Sequence, residues 1–211
     1  MEEERVASFI RSLVKPKNEF LEQLRKEALS SGVPIVRTET EALLSFFTTL
    51  ISPKNVLEVG TAIGYSGISM LSESADFHLT TIENYEPRIA EAKKNFKAAG
   101  VEARVTFLTG DAGEILKTLD GPYEMIFMDA AKAQYITWLP DVLRLLAPGG
   151  VLISDNIFQD GQVMESRYNV RRRDRTIHKR MREYLRAITE DPTLRTSVIP
   201  LGDGVTVTVK K

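Results

Sequence analysis

The 211-residue chain has no cysteine and only two histidines, His78 and His178. Without a thiol there is no disulfide, thiolate nucleophile, iron–sulfur cluster or cysteine-bound zinc. Two histidines argue against a histidine-rich metal centre and against a conventional Ser-His-Asp triad. Long apolar runs are also missing: none approaches the ~20 residues a membrane span needs. The acidic start Met1-Glu2-Glu3-Glu4-Arg5 has no apolar segment after it, so no signal peptide is expected and the cytoplasm is the expected location. No repeat, linker or low-complexity stretch divides the sequence. One domain over residues 1–211 is expected, with helices over 1–52 and an α/β core over 53–211.

Charge is balanced overall, at a net −1, but not locally. Between Glu165 and Arg186 stand Arg167, Arg171, Arg172, Arg173, Arg175, Lys179, Arg180, Arg182 and Arg186, against Glu165, Asp174 and Glu183. That is a net +6 in 22 residues, so the rest of the chain sums to −7. Such a block fits a polyanion site on one face. It also fits a solvated helix face.

Patterning alternates between helices and strands. Amphipathic stretches at 3–14 and 18–31 are parted by Pro16. A helix is expected from Thr38 to Ile51, with Thr38 as N-cap and Glu41 completing a capping box. Five short apolar runs follow: Val56–Val59, His78–Ile82, Val105–Leu108, Met125–Met128 and Val151–Ser154. Continuous rather than alternating apolar runs fit strands covered on both faces. Helical stretches at 65–74, 86–99, 112–119 and 133–146 lie between them, and Pro148-Gly149-Gly150 reads as a turn into the fifth strand. Strand–helix repetition argues for a doubly wound, mostly parallel sheet. The tail differs. Residues 171–190 read as a helix with Ile177, Met181, Leu185 and Ile188 on one stripe. Ser197–Leu201 and Val205–Val209 read as a hairpin around Gly202-Asp203-Gly204.

Open α/β sheets bind ligands at the C-terminal ends of their strands. There the sequence places Leu57-Glu58-Val59-Gly60-Thr61-Ala62-Ile63-Gly64-Tyr65-Ser66, a strand entering a glycine turn. No Gly-Lys-Ser/Thr follows, so it is not a P-loop, and a third glycine is missing for a dinucleotide fingerprint. Glu83 ends the next strand, 23 residues after Gly60, where a carboxylate can accept from ribose hydroxyls. The pair favours a nucleoside cofactor without a diphosphate over a purely structural turn. Asp111, in Gly110-Asp111-Ala112, could bond an adenine amine or merely cap the helix behind it.

A second group stands at the ends of strands four and five: Asp129-Ala130-Ala131-Lys132 and Asp155-Asn156. Two carboxylates and an amide on strands ~5 Å apart can converge on a hard cation, suited to Mg²⁺ with Mn²⁺ and Ca²⁺ as alternatives. The competing reading is helix caps and turn formers. Near such a cation Lys132 could accept a hydroxyl proton; otherwise it is an exposed lysine.

Together these motifs resemble the metal-dependent O-methyltransferases of the catechol type, over roughly residues 33–211. The resemblance implies a class I, Rossmann-like methyltransferase fold, with a mostly parallel seven-stranded sheet, a C-terminal antiparallel hairpin and extra N-terminal helices. It implies S-adenosylmethionine as donor, held by Glu58, Gly60, Thr61, Ser66 and Glu83, with Asp111 and Ala112 at the adenine, Asp129 nearby and Val36 as a lid. It implies Asp129, Asp155 and Asn156 as Mg²⁺ ligands and Lys132, with Asp129, as the catalytic pair. Arg171-Arg172-Arg173 and Ile199-Pro200-Leu201-Gly202-Asp203-Gly204 are further similar to the bacterial tRNA 5-hydroxyuridine methyltransferases, which implies tRNA as partner. Family resemblance also implies a homodimer joined through the N-terminal helices.

Methyl transfer from a sulfonium needs an aligned, desolvated and deprotonated oxygen. A catechol or a 5-hydroxyuridine offers two neighbouring oxygens able to chelate one ion. Three readings follow. The first is methylation of 5-hydroxyuridine at the wobble position of the tRNA anticodon loop, with Arg171, Arg172, Arg173 and Arg175 on phosphates. The second is methylation of small catechol or hydroxycinnamoyl substrates. The third is a non-enzymatic RNA-binding module, against which Asp129, Lys132, Asp155 and Asn156 speak. Tyr65, Trp138, Phe158 and Tyr168 are candidate base-stackers, each also readable as core packing.

Overall fold

The computed structural model describes residues 2–211. Three helices come first: α1 (Glu2–Leu13), α2 (Glu19–Ser30) and α3 (Thr38–Ile51). Then β1 (Asn55–Val59), α4 (Tyr65–Leu71), β2 (His78–Glu83), α5 (Glu86–Ala98), β3 (Val105–Thr109), α6 (Ala112–Thr118), β4 (Tyr123–Met128), α7 (Tyr135–Leu145) and β5 (Leu146–Asp155) alternate. α8 (Arg175–Glu190), β6 (Leu194–Ile199) and β7 (Val205–Lys210) complete the chain. The seven strands lie in the order β3-β2-β1-β4-β5-β7-β6. β1 to β5 run parallel, and β7 enters antiparallel between β5 and β6. This is the expected Rossmann-like sheet with its terminal hairpin.

Both faces of the sheet are buried, which explains the unbroken apolar runs. The two-residue period of a strand sends alternate side chains to opposite layers. Val56, Met125, Phe127 and Ile153 face a core shared with α2 to α5. Leu57, Val59, Ile126, Met128 and Leu152 face the layer of α6, α7 and α8. Phe127 is fully buried, and truncating such a side chain to alanine costs roughly 3–5 kcal/mol. β1 pairs with β2 on one side and β4 on the other. Strand order therefore reverses beside β1, and the crevice above it is where such sheets take ligands.

Five local expectations are corrected. Arg37, extended, occupies the N-cap of α3, and no side chain caps that helix. Glu41 forms no capping box because it is drawn inward to Arg25, Tyr65 and Ser69. Pro148-Gly149-Gly150 does not precede β5 but lies within it, with Gly149 at φ +74° and a register shift against β4. β6 starts at Leu194, three residues before the expected Ser197. α8 begins at Arg175; Arg171 is extended and Arg172–Asp174 form a single 3₁₀ turn. The buried stripe of α8 is His178, Met181, Tyr184 and Ile188, while Ile177 and Leu185 are only partly covered.

Candidate active site

The turn after β1 is shaped by backbone contacts. Gly60 has φ +105°, and a Cβ there would overlap the main-chain carbonyl of Asp129. Only glycine permits this approach between the ends of β1 and β4. The amides of Gly60 and Thr61 both donate to the Ile82 carbonyl, at 3.1 and 3.2 Å, tying the turn to β2. Gly64, at φ +84°, then admits the chain into α4.

Glu83 sits at the tip of β2. One carboxylate oxygen accepts from Ala62 N at 2.8 Å, and the other from Asn84 N and Tyr85 N at 2.9 Å each. Its position bridges the glycine turn and the loop beyond β2. Asp111 caps α6, accepting from Glu114 N at 3.1 Å, and it also lines the cleft. The cleft, about 340 Å³, is bounded by Gly60, Glu83, Asp111, Ala112, Asp129 and Trp138. A small recess adjoins it at Gly60, Ala62 and Asp129, walled by Val36, Thr61 and Ser66. The sequence-predicted cofactor residues thus gather on one continuous surface, apart from Glu58.

Glu58 lines neither cavity. It points into the protein with no exposed surface, below Ser66, whose hydroxyl donates to it at 2.5 Å. Thr81 Oγ1 donates to its other oxygen at 2.6 Å and also meets Thr61 Oγ1 at 2.6 Å. Burial pushes the Glu58 carboxyl up to about 7, the two hydroxyl donors opposing this and the negative charges of Asp129 and Glu83 adding to it. Glu58 therefore supports the recess through Ser66 directly and through Thr61 by way of Thr81.

Two of the three oxygen donors, Asp129 and Asn156, come together at Lys132. Asp129 N donates to Val59 O, which fixes the end of β4 beside the glycine turn. Lys132 Nζ lies 2.7 Å from Asp129 Oδ1 and 3.2 Å from Asn156 Oδ1, so two donors converge on one cationic atom. Asp155 is 3% exposed, and its Oδ1 accepts from Asn156 N at 2.8 Å. Burial, then the charge of Asp129, pushes its carboxyl up to about 7; Lys132 and Arg37 pull it down. Asn156 holds φ +55°, a left-handed conformation that asparagine tolerates better than most residues.

Two contributors escaped the sequence reading. Tyr135, fully buried, donates from its hydroxyl to Met128 O at 2.9 Å and accepts from Ala130 N at 3.2 Å. Its ring lies 5.7 Å from Lys132 Nζ, so it props the turn that carries the lysine. Arg37 is exposed, its charge acts on Asp155 and Asp203, and it passes over Gly202. Adjacency to Val36 was the only sequence signal for it. The hairpin loop seats beside Asn156: Ile157 N donates to Gly204 O and Phe158 N to Asp203 O. Gly204 is required there, because a Cβ would collide with the Phe158 ring.

The basic segment divides in two. Arg171, Arg172 and Arg173 are exposed before α8, with Arg171 Nε 3.0 Å from Asp174, while Arg175 Nε donates to Val170 O at 3.1 Å. Farther along, Arg167, Lys179, Arg182 and Arg186 border an open groove of about 490 Å³. Arg180 links this helix to the turn after β4 by donating to Ala133 O at 3.2 Å. Of the candidate stackers, Tyr65 and Trp138 are buried and Phe158 is packed against the hairpin loop. Tyr168 is 89% exposed and is no part of the core.

Comparison with known proteins agrees with this geometry. The sequence model described as O-methyltransferase matches residues 11–211. A catechol O-methyltransferase of Niastella koreensis is 34% identical over 170 residues, 77% of this chain and 76% of that one. The O-methyltransferase of Bacillus cereus, solved with S-adenosylhomocysteine, superposes with a TM-score of 0.85 at 25% identity, covering 98% of this chain and 97% of that one. The tomaymycin-synthesis O-methyltransferase of Streptomyces achromogenes, solved with S-adenosylmethionine, gives 0.86 at 26% identity, covering 100% and 99%.

Proposed function

The chain belongs to the O-methyltransferase family, and from that premise we propose that it methylates 5-hydroxyuridine to 5-methoxyuridine at the wobble position of tRNA, with S-adenosylmethionine as donor and a divalent cation, Mg²⁺ or Mn²⁺, in the site. The observation that carries the substrate reading is the tether between the basic helix and the catalytic turn. Arg180 holds Ala133, the neighbour of Lys132, so the phosphate-binding chemistry of α8 and the oxygen site share one frame.

S-adenosylmethionine would supply a methyl group activated on a sulfonium. The cleft residues Glu83 and Asp111 would bind its nucleoside part, and Val36, Thr61 and Ser66 its amino-acid part. The oxygen donors fit a hard dication. Asp129 and Asn156 already share one positive atom at 2.7 and 3.2 Å, and Asp155 is a buried carboxyl in need of a counter-charge. Among the described residues no three acidic or histidine side chains group together, so the amide of Asn156 would serve as third ligand. Such a cation would supply the charge that acidifies two neighbouring oxygens. Lys132 Nζ is the atom placed to receive the hydroxyl proton, and Tyr135 and Asp129 orient it. Trp138 lines the cleft and Val36 the recess.

The Niastella catechol enzyme favours the second reading, a small catechol substrate. One experiment decides between them: nucleoside analysis of tRNA from cells with and without the gene, paired with assays of the pure enzyme on hypomodified tRNA and on free catechol. Loss of 5-methoxyuridine with accumulation of 5-hydroxyuridine, and in vitro activity abolished by chelator and restored by Mg²⁺, is the expected result. Unchanged 5-methoxyuridine with efficient catechol methylation would replace the first reading by the second. We propose a homodimer as the working form, supported by the exposed apolar residues Val6, Phe9 and Leu13 on α1 and Phe46 and Leu50 on α3. No helix among the described residues is long and apolar enough to cross a membrane, and the cytoplasm, where tRNA is found, is the proposed location.

A further inference from the structure

A buried polar cluster behind the recess has no part in the chemistry described so far. Arg25 of α2 reaches three separate segments with one guanidinium. Its Nη2 lies 2.7 Å from Glu41 Oε2, on α3. The same Nη2 donates to the main-chain carbonyl of Val36 at 3.3 Å. Its Nε donates to Tyr65 Oη at 3.0 Å, and its Cζ lies 4.7 Å from the centre of that ring. Tyr65 Oη in turn donates to Glu41 Oε2 at 2.9 Å, and Ser69 Oγ donates to the other Glu41 oxygen at 2.9 Å. Lys17 closes the cluster from outside, donating to Ser69 Oγ at 2.6 Å and pairing with Glu73 at 2.6 Å.

Burying a charged pair in a helical layer is a poor way to gain stability. The desolvation penalty often exceeds the attraction, and apolar packing of the same volume would serve as well. What the cluster does provide is geometric. Val36, Tyr65 and Ser66 all line the recess. Val36 belongs to the segment between α2 and α3, whereas Ser66 follows Tyr65 at the start of α4. Among the described residues, Arg25 is the side chain that bonds both the Val36 carbonyl and the Tyr65 hydroxyl. Its planar fork fixes distance and angle together, which a lysine ammonium cannot do.

We propose that Arg25 is a positioning residue for the methyl donor: through Val36 O and Tyr65 Oη, with Glu41 holding the guanidinium, it sets the width of the recess that takes the amino-acid end of the donor. This rests on the reading that the recess belongs to the donor. Binding would then cost less ordering, because the wall segment is already fixed. The acceptor side, at Lys132 and Asn156, lies outside the cluster.

The test is calorimetric titration of the full chain with S-adenosylmethionine and S-adenosylhomocysteine, with no acceptor present, for wild type, Arg25→Gln, Arg25→Lys and Tyr65→Phe. Amide hydrogen exchange over residues 33–37 and acceptor KM at saturating donor accompany it. Arg25→Gln is expected to raise donor Kd at least tenfold and to speed exchange at 33–37. Acceptor KM should stay within twofold, and Arg25→Lys should recover part of the affinity. Tyr65→Phe, which leaves the ion pair in place, should weaken donor binding a few-fold. Donor Kd unchanged in both Arg25→Gln and Tyr65→Phe overturns the proposal, as does a parallel rise in donor Kd and acceptor KM. If Arg25→Gln does not fold, unaltered affinity in Arg25→Lys and Tyr65→Phe together overturns it. Because the titration itself contains no acceptor, donor Kd stands apart from the choice between tRNA and catechol. A wild-type chain that binds no donor would defeat both readings.

Discussion

Glu58→Gln is expected to make the cofactor-free protein more stable at alkaline pH while leaving it almost unchanged in weak acid. The Glu58 carboxyl rises from an ordinary 4.5 in the unfolded chain to about 7 in the folded one, chiefly through burial. The folded state therefore holds a proton that the unfolded state releases between those two values. Stability must fall as pH climbs through this window, and the full penalty is present above pH 7. A shift of that size corresponds to roughly 3 kcal/mol, taken as an upper bound for a buried group. Glutamine is neutral throughout and removes the penalty. Between pH 5 and pH 8.5 the difference in unfolding free energy, variant minus wild type, should grow by about 2–3 kcal/mol. For a chain of 211 residues that is a gain of roughly 5–10 °C in relative melting temperature.

The offset and the slope report different things. Ser66 and Thr81 both donate to Glu58, and a glutamine can accept from only one of them unless the other hydroxyl turns round. That rearrangement costs on the order of 1 kcal/mol at every pH. Asp155 also rises to about 7 and adds its own pH dependence, but it is present in both proteins and cancels. Urea unfolding at four pH values between 5 and 8.5 measures the slope directly. A difference that is flat with pH, or that shrinks as pH rises, would refute the assignment of a proton to buried Glu58.

Lys132→Ala should lower kcat by about 10²–10⁴ with donor Kd unchanged, measured by single-turnover methyl transfer and calorimetry, if its amine takes the hydroxyl proton. Gly60→Ala should destabilise the fold by at least about 1–3 kcal/mol, because φ +105° and the Asp129 carbonyl both oppose a Cβ, and should weaken donor binding; thermal melts with and without donor check it. Arg167→Glu with Arg186→Glu should reduce the salt slope of tRNA affinity by about one to two units, while catechol turnover stays constant. The same measurement on Arg171→Glu with Arg173→Glu tells which half of the basic segment meets phosphate.

Much of the architecture was legible because it follows from short-range rules. Five apolar runs spaced by helical stretches give a covered parallel sheet, and strand ends give the site. Asp129, Lys132, Asp155 and Asn156 could be named in advance, since each lies at or just after a strand terminus. Caps were harder. Thr38 and Glu41 match a capping box in sequence, yet the attraction of Arg25 and Tyr65 for Glu41 outweighs the local hydrogen bond. Pro148-Gly149-Gly150 looks like a turn, but pairing with β4 carries the strand through it. The pleat of β1 sends Glu58 inward beneath Ser66, a contact that the sequence pattern does not reveal.

Residue order alone thus determined the chain's alternating layers, its lack of thiol chemistry and the kinds of donor groups at its strand ends. Only the folded chain decided that Arg25, Val36, Glu41 and Tyr65 meet behind the recess, and that Tyr135 props the turn of Lys132. It also decided that the basic segment splits between an exposed turn and a groove. Periodicity records which face of an element is buried, and that survives in one dimension. Contacts between segments tens of residues apart depend on how the layers stack, and no local pattern in the sequence encodes them.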